Sequence, residues 1–127
     1  MCQTCNDDPT SHSFTYVGKT NEGYNILYTC PAKATKYWDT SGILQHYNEV
    51  LDENQGQTWV WLFDGQDFGL AHSMQISTAI GLVHILTENN HSLSKIQIVN
   101  PTIYIHTLYG FLLPFLSNEL VEKIQWA

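Results

Sequence analysis

The chain has 127 residues, 43% hydrophobic and 13% aromatic, with 5 Lys+Arg against 12 Asp+Glu for a formal charge of -7. That is one globular domain, long enough to bury a core without disulfide or metal staples. The shortage of cations excludes a phosphate-tracking face for nucleic acid and electrostatic docking on anionic lipid, so membrane contact is at most transient and hydrophobic.

Residues 1–13 (MCQTCNDDPTSHS) are polar, hold the breaker cluster Asn6-Asp7-Asp8-Pro9, and read as a flexible tail ahead of a domain over residues 14–127. This segment lacks the apolar run of a secretory leader, and no stretch reaches the roughly 18 apolar residues of a membrane span. Three cysteines, an odd number, fit a reducing compartment. A soluble, intracellular, cytoplasmic protein is the expectation.

Residues 14–17 and 24–30 alternate as strands do, and the Gly18-Lys19-Thr20-Asn21-Glu22-Gly23 connector joins them as an antiparallel hairpin that Pro31 ends. From Ser41 the period changes: Ile43, Leu44, Tyr47, Val50 and Leu51 fall at helical spacing, with Thr40 or Ser41 as N-cap and Asn54-Gln55-Gly56 as the stop. Residues 58–63 (TWVWLF) are apolar on both faces, as in a central strand with layers on either side. A turn-rich loop, Asp64-Gly65-Gln66-Asp67-Phe68-Gly69, leads to a second helix over residues 73–88 with Ile76, Ala79, Ile80, Val83 and Leu86 on one face.

Residues 95–99 form a buried strand, and Asn100-Pro101 turns the chain into a helix over residues 104–116 that is apolar nearly all round. Such a helix needs a cover: its own sheet, a bound apolar ligand, a membrane or a partner protein. Pro114 kinks it, and Ser117 caps a short last helix carrying Leu120, Val121 and Ile124. The order predicts a single α/β domain, with a mixed, mostly parallel sheet and right-handed crossover helices.

Candidate chemistry is sparse. Cys2 and Cys5 make a C-x-x-C, with His12 and Cys30 as the only plausible further ligands; lacking a second pair, they are weak candidates and no metal is expected. The six histidines show no ligand spacing, and His46 and His84 fall on the polar faces of helices, where exposure is the default. No G-x-S-x-G elbow and no phosphate-cradling Gly loop occurs. Asp64 and Asp67 read as Asx-type turn residues, not as a cation or acid–base pair. The expectation is a non-enzymatic protein with no cofactor.

Several spaced features resemble the CRAL-TRIO lipid-binding domains, and most closely their divergent, BCH-like branch. They are the strand-loop WLFDGQDFGL, the strand KIQIVNPT with Pro101-Thr102, and the segment FLLPFLSNELVEKI with Pro114-Phe115, Ser117 and Lys123-Ile124. They span residues 59–124, and the hairpin before them agrees by topology alone. The resemblance implies an apolar ligand between the sheet and a mobile helical lid. The lid would be residues 104–116, with Tyr104 on it and Leu108, Phe111, Leu112 and Phe115 toward the cavity. Trp59, Trp61 and Phe63 would line the floor. Lys123 matches a head-group-contacting Lys of phosphoinositide-binding relatives, whose accompanying Thr is Leu120 here. Such domains continue past Lys-Ile into another strand and a helix, so the resemblance implies a C-terminally truncated member with an open cleft or unpaired sheet edge.

The functional expectation is therefore non-catalytic binding of a lipid or other small hydrophobic molecule between the sheet and the apolar C-terminal helix. The alternative is a protein-interaction or structural module, BCH-like, whose apolar helix or sheet edge is covered by a protein partner or a second copy in a homo-oligomer.

Overall fold

The computed structural model describes residues 3–127. Its first element is a short helix, α1 (Gln3–Asp7), inside the segment expected as a tail. That segment is packed: Cys5, Ser11 and His12 are buried. Asp8 turns the chain by accepting from Thr10 N and Oγ1 (3.1 and 2.7 Å) and from Thr35 Oγ1 (3.1 Å). Two backbone bonds, Thr35 N to Thr10 O and Lys36 N to Ser11 O, then fasten it to a later loop. Non-local bonds of this kind leave no periodic trace in a polar sequence.

The hairpin forms as its turn residues demand. Strands β1 (Thr15–Lys19) and β2 (Asn25–Thr29) are antiparallel, with Gly23 at φ 88° in the connector. Tyr16 pairs with Leu27 and Gly18 with Ile26, so Val17 is a bulge residue on this edge strand. After a single 3₁₀ turn at Pro31–Lys33 comes α2 (Thr40–Glu53). Its N-cap is Asp39, one or two residues before the expected Thr40 or Ser41, because the Asp39 carboxylate accepts from Gly42 N. Gly56 at φ 84° follows the helix stop.

Strand β3 (Trp59–Asp64) runs parallel to β2. The single helix expected over residues 73–88 is two: α3 (Leu70–Ser73) and α4 (Ile76–Glu88). Gly69 N bonds the His72 ring at 3.0 Å and Ser73 Oγ bonds Leu70 O, local bonds that close α3 as its own turn. Strand β4 (Leu93–Val99) is parallel to β3. Helix α5 (Ile103–Leu112) then gives way at Pro114 to a 3₁₀ turn, Leu113–Phe115, which is the expected break. Ser117 Oγ accepts from Leu120 N to cap α6 (Asn118–Lys123). Ile124, expected in that helix, opens a fifth strand, β5 (Ile124–Trp126), parallel to β4. A helical phase carried through Lys123 cannot reveal that Ile124 and Trp126 alternate against Ile96 and Ile98.

The sheet order is β1-β2-β3-β4-β5, each new strand added on the same edge, with β1 antiparallel and the other four parallel. With right-handed crossovers, such an order sends every connecting helix to the same face. The core obeys this: Leu27, Trp59, Trp61, Leu93, Ile96 and Ile98 meet Ile43, Tyr47, Leu86, Ile105 and Leu120 in one cluster. The opposite face bears Ile26, Tyr28, Leu62 and Gln97, all half-buried and none in that cluster. The two-sided apolar pattern of residues 58–63 thus marks a strand with one helical layer, not two. Among the described residues no helix is long and apolar enough to cross a membrane.

Candidate functional site

Between the sheet and its helices the packing is incomplete. A cavity of about 190 Å³ lies there. Its floor is Thr29, Trp61, Phe63, Ile96 and Ile98 from the three central strands, all side chains on one pleat face. Helix α4 supplies one wall with Ala79, Leu82, Val83 and Leu86, and α2 adds Ile43 and Tyr47. Helix α5 forms the roof through Ile105, Leu108, Tyr109 and Leu112, followed by Leu116. The four on α5 share one helical stripe, and Leu116 reaches the same space from the extended residue after the 3₁₀ turn.

Three polar groups in this wall satisfy one another. Trp61 Nε1 donates to Thr29 Oγ1 at 2.9 Å, and the Tyr47 hydroxyl is 2.8 Å from the same oxygen. Burial pushes the Tyr47 phenol well above its ordinary pKa of 10, so it stays neutral. Phe14 stacks on Tyr47 with ring centres 3.9 Å apart and backs this arrangement from outside the cavity. Near the cavity rim, Ser13 Oγ accepts from Cys30 N, and the His72 ring accepts from Gly69 N. Burial lowers the His72 pKa, which keeps the imidazole neutral. What remains exposed to the cavity is almost wholly hydrocarbon.

Of the residues singled out from the sequence, the structure brings Trp61, Phe63, Leu108 and Leu112 together around this space. Trp59 shares their pleat face but is buried at the strand start, where its indole donates to Ser92 Oγ at 3.0 Å. Tyr104, Phe111 and Phe115 fall off the inward stripe of α5 and are 39%, 49% and 51% exposed. On α5 the reason is phase: with Ile105 buried, positions 108, 109 and 112 follow it inward and 104 and 111 turn outward, while Phe115 leaves the stripe because the chain has passed into the 3₁₀ turn at Pro114. A helix apolar on all sides gives no sequence signal for that phase. Lys123 is committed elsewhere, since its Nζ donates to Asn90 O and Oδ1 at 2.8 and 2.7 Å and ties α6 to the turn before β4. The cavity residues missed at the sequence level, Ile96, Ile98, Leu82 and Ile105, carry ordinary core signals, and only the fold sets them against a void.

The roof is anchored at its N-terminal end. Thr102 Oγ1 donates to Phe68 O at 2.7 Å, and His106 stacks on Trp126 with ring centres 4.5 Å apart. Ile105 reaches Gly65, where an added Cβ would collide with Ile105 Cδ1 and lie 2.9 Å from Asn100 O. Under this anchor the Asp64 turn forms as expected: Oδ1 accepts from Gln66 N and Asn100 Nδ2, and Oδ2 from the Tyr28 hydroxyl. Burial works against the Asp64 charge, but these three donors outweigh it and hold its pKa below the ordinary value. Asn100 itself sits at φ 51°, a left-handed conformation that Asn tolerates.

Of the weak metal candidates, the structure brings Cys5 and His12 together, with Cys5 Sγ 3.5 Å from His12 Nδ1. Cys2 lies outside the described residues. Cys30 is buried, with Sγ 3.9 Å from Gln66 O, and does not join Cys5. His84 is exposed as expected, but His46 is half-buried and its ring is bonded on both sides.

Comparison with curated proteins gives no match. The sequence model of the CRAL/TRIO domain, however, matches residues 12–127. That match reaches back through the hairpin and α2, well beyond the C-terminal half in which the sequence motifs lie. With nearly the whole chain matched, and a sheet, crossover helices and roofed apolar space in the order described, the chain belongs to the CRAL/TRIO domain family.

Proposed function

We propose that this protein binds a lipid or another small hydrophobic molecule, without catalysis, in the cavity over Trp61 and Phe63 and beneath α5. The family is one of lipophilic-ligand binders in general, and the observation that carries the reading here is the wall itself. Thr29, Tyr47 and Trp61 use their polar atoms on each other, so a guest meets hydrocarbon and its affinity comes from apolar burial. An apolar cavity of about 150 Å³ takes up a benzene-sized guest. The volume here, about 190 Å³, therefore suits a ring or a short chain. A longer acyl chain needs the C-terminal half of α5 to lift, and Pro114 provides the break about which it moves. The rim atoms of Ser13 and His72 are engaged in structural bonds, which supports binding over turnover.

The test is displacement of an environment-sensitive apolar dye by a fatty acid, together with mass spectrometry of lipids extracted from the purified protein. Leu108→Trp fills the space from the roof and is expected to weaken uptake at least tenfold, about 1.4 kcal/mol. Dye and fatty acid that do not bind the wild-type chain, with no co-purifying lipid, would falsify the reading.

A second reading rests on a specific observation: Ile103, Tyr104, Phe111, Leu113 and Phe115 leave the outer side of α5 and of the 3₁₀ turn after it apolar and open. A protein partner or second copy covering α5 accounts for this face. Light scattering that gives a monomer at high concentration removes the homo-oligomeric form of this alternative.

A further inference from the structure

Away from the cavity, and sharing none of its lining residues, a second cluster lies where the N-terminal segment crosses α2. Cys5 Sγ is 3.5 Å from His12 Nδ1 and 3.6 Å from His46 Nδ1. The two imidazole rings are 5.6 Å apart, centre to centre. Among the described residues, this is the one group of three or more His, Cys, Asp or Glu side chains with ligand atoms gathered within 4.8 Å of one another.

The outer nitrogens of both rings are held. His12 Nε2 is 3.0 Å from Asp39 Oδ2, and His46 Nε2 is 2.9 Å from Phe14 O. A carboxylate and a carbonyl only accept, so each ring places its Nε2 proton outward and turns the Nδ1 lone pair toward the sulfur. This is the carboxylate–imidazole and carbonyl–imidazole support that metal-ligating histidines use. A thiol carries one proton and can donate to one of the two nitrogens at most, whereas a central cation attracts all three atoms.

The spacing agrees with that chemistry. Zinc bonds of about 2.3 Å to sulfur and about 2.0–2.1 Å to nitrogen, at a tetrahedral angle, set S and N about 3.5–3.6 Å apart. The local backbone also makes room for the support: a Cβ at Gly42 would collide with the Asp39 carboxylate and lie 3.0 Å from His12 Cε1. We infer that Cys5, His12 and His46 form a binding site for zinc or a similar borderline-soft divalent ion, which staples the N-terminal segment to α2. Mixed thiolate and imidazole donors select this class of metal over the oxygen-seeking magnesium and calcium. The sequence supplies one more thiol at knuckle spacing, Cys2, three residues before Cys5.

The test is titration of chelator-treated, reduced protein with cobalt(II), followed by displacement with zinc. One equivalent per chain is expected, with a thiolate-to-cobalt charge-transfer band and the intense visible bands of a four-coordinate site. Cys5→Ser should abolish the charge-transfer band, and His46→Ala should weaken binding at least tenfold. Asp39→Asn keeps a competent helix cap but loses the carboxylate behind His12, and a weakening of about 10–100-fold is expected. Zinc should also raise the melting temperature of the wild-type chain. A wild-type chain that takes up neither metal and melts unchanged overturns the site and leaves a plain thiol–imidazole contact. A charge-transfer band that persists in Cys5→Ser but disappears in Cys2→Ser or Cys30→Ser overturns it equally.

Discussion

Thr29 keeps the apolar cavity compatible with a Trp and a Tyr in its wall. Its hydroxyl serves both the Trp61 indole and the Tyr47 phenol. In Thr29→Val the shape is retained and both groups lose their partner. An unsatisfied buried polar group costs about 1–3 kcal/mol, so chemical denaturation should show a loss in that range for each of the two groups. Gly65 makes the complementary case, of a residue that must be absent. Gly65→Ala drives a methyl group against Ile105 and the Asn100 carbonyl, and overpacking of this kind costs about 1–3 kcal/mol, readable in the same denaturation midpoint. Neither role shows in the sequence. Thr29 reads as an ordinary strand residue and Gly65 as an ordinary turn glycine, because what they touch lies 18 to 40 positions away.

At the scale of the element, α5 divides by face. Ile105 is buried, whereas Phe115 beyond the Pro114 break is half exposed. Ile105→Ala should cost about 2–5 kcal/mol, as buried large-to-small changes do, and should loosen the roof. Phe115→Ser should change stability by no more than about 0.5 kcal/mol, since it removes surface and not core. Equal losses in thermal melts of the two variants would mean that α5 is gripped on both sides. The existence of α5, its start after Pro101 and its break at Pro114 were legible from the sequence, as were the hairpin, α2, β3 and the Ser117 cap. The facing of α5 was not, because an all-round apolar helix has no polar stripe to orient it. The split between α3 and α4 escaped for a related reason: it depends on side chains bonding the backbone locally, not on any loss of hydrophobic period.

For the whole molecule, pH brings several of these groups together. Burial lowers the pKa of His46 and His72 from the ordinary 6.5, so the unfolded chain binds more protons than the folded one as pH falls below that value. Their contribution is present in full above pH 6.5 and is lost as pH drops toward their folded values. Asp64, whose pKa is also lowered, adds a loss of the same sign at still lower pH, below its ordinary 3.8. Melting temperature measured from pH 7.5 to 5 should fall. A flat or rising profile would contradict lowered pKa values at these two half-buried imidazoles.

The sequence by itself determined most of the elements between residues 14 and 123, their order and the family they resemble, but not α1, the division of α3 from α4, or β5. The elements it determined depend on hydrophobic period, turn residues and caps, which act within a few residues of one another. Only the tertiary structure decided which apolar side chains face a void, that the N-terminal segment packs on α2, and that Ile124 and Trp126 complete the sheet. It also joined His46 to Cys5 and His12 across more than thirty positions of chain. Cavities and ligand clusters are made by the meeting of faces from separate elements, and spacing along a chain carries no record of that meeting.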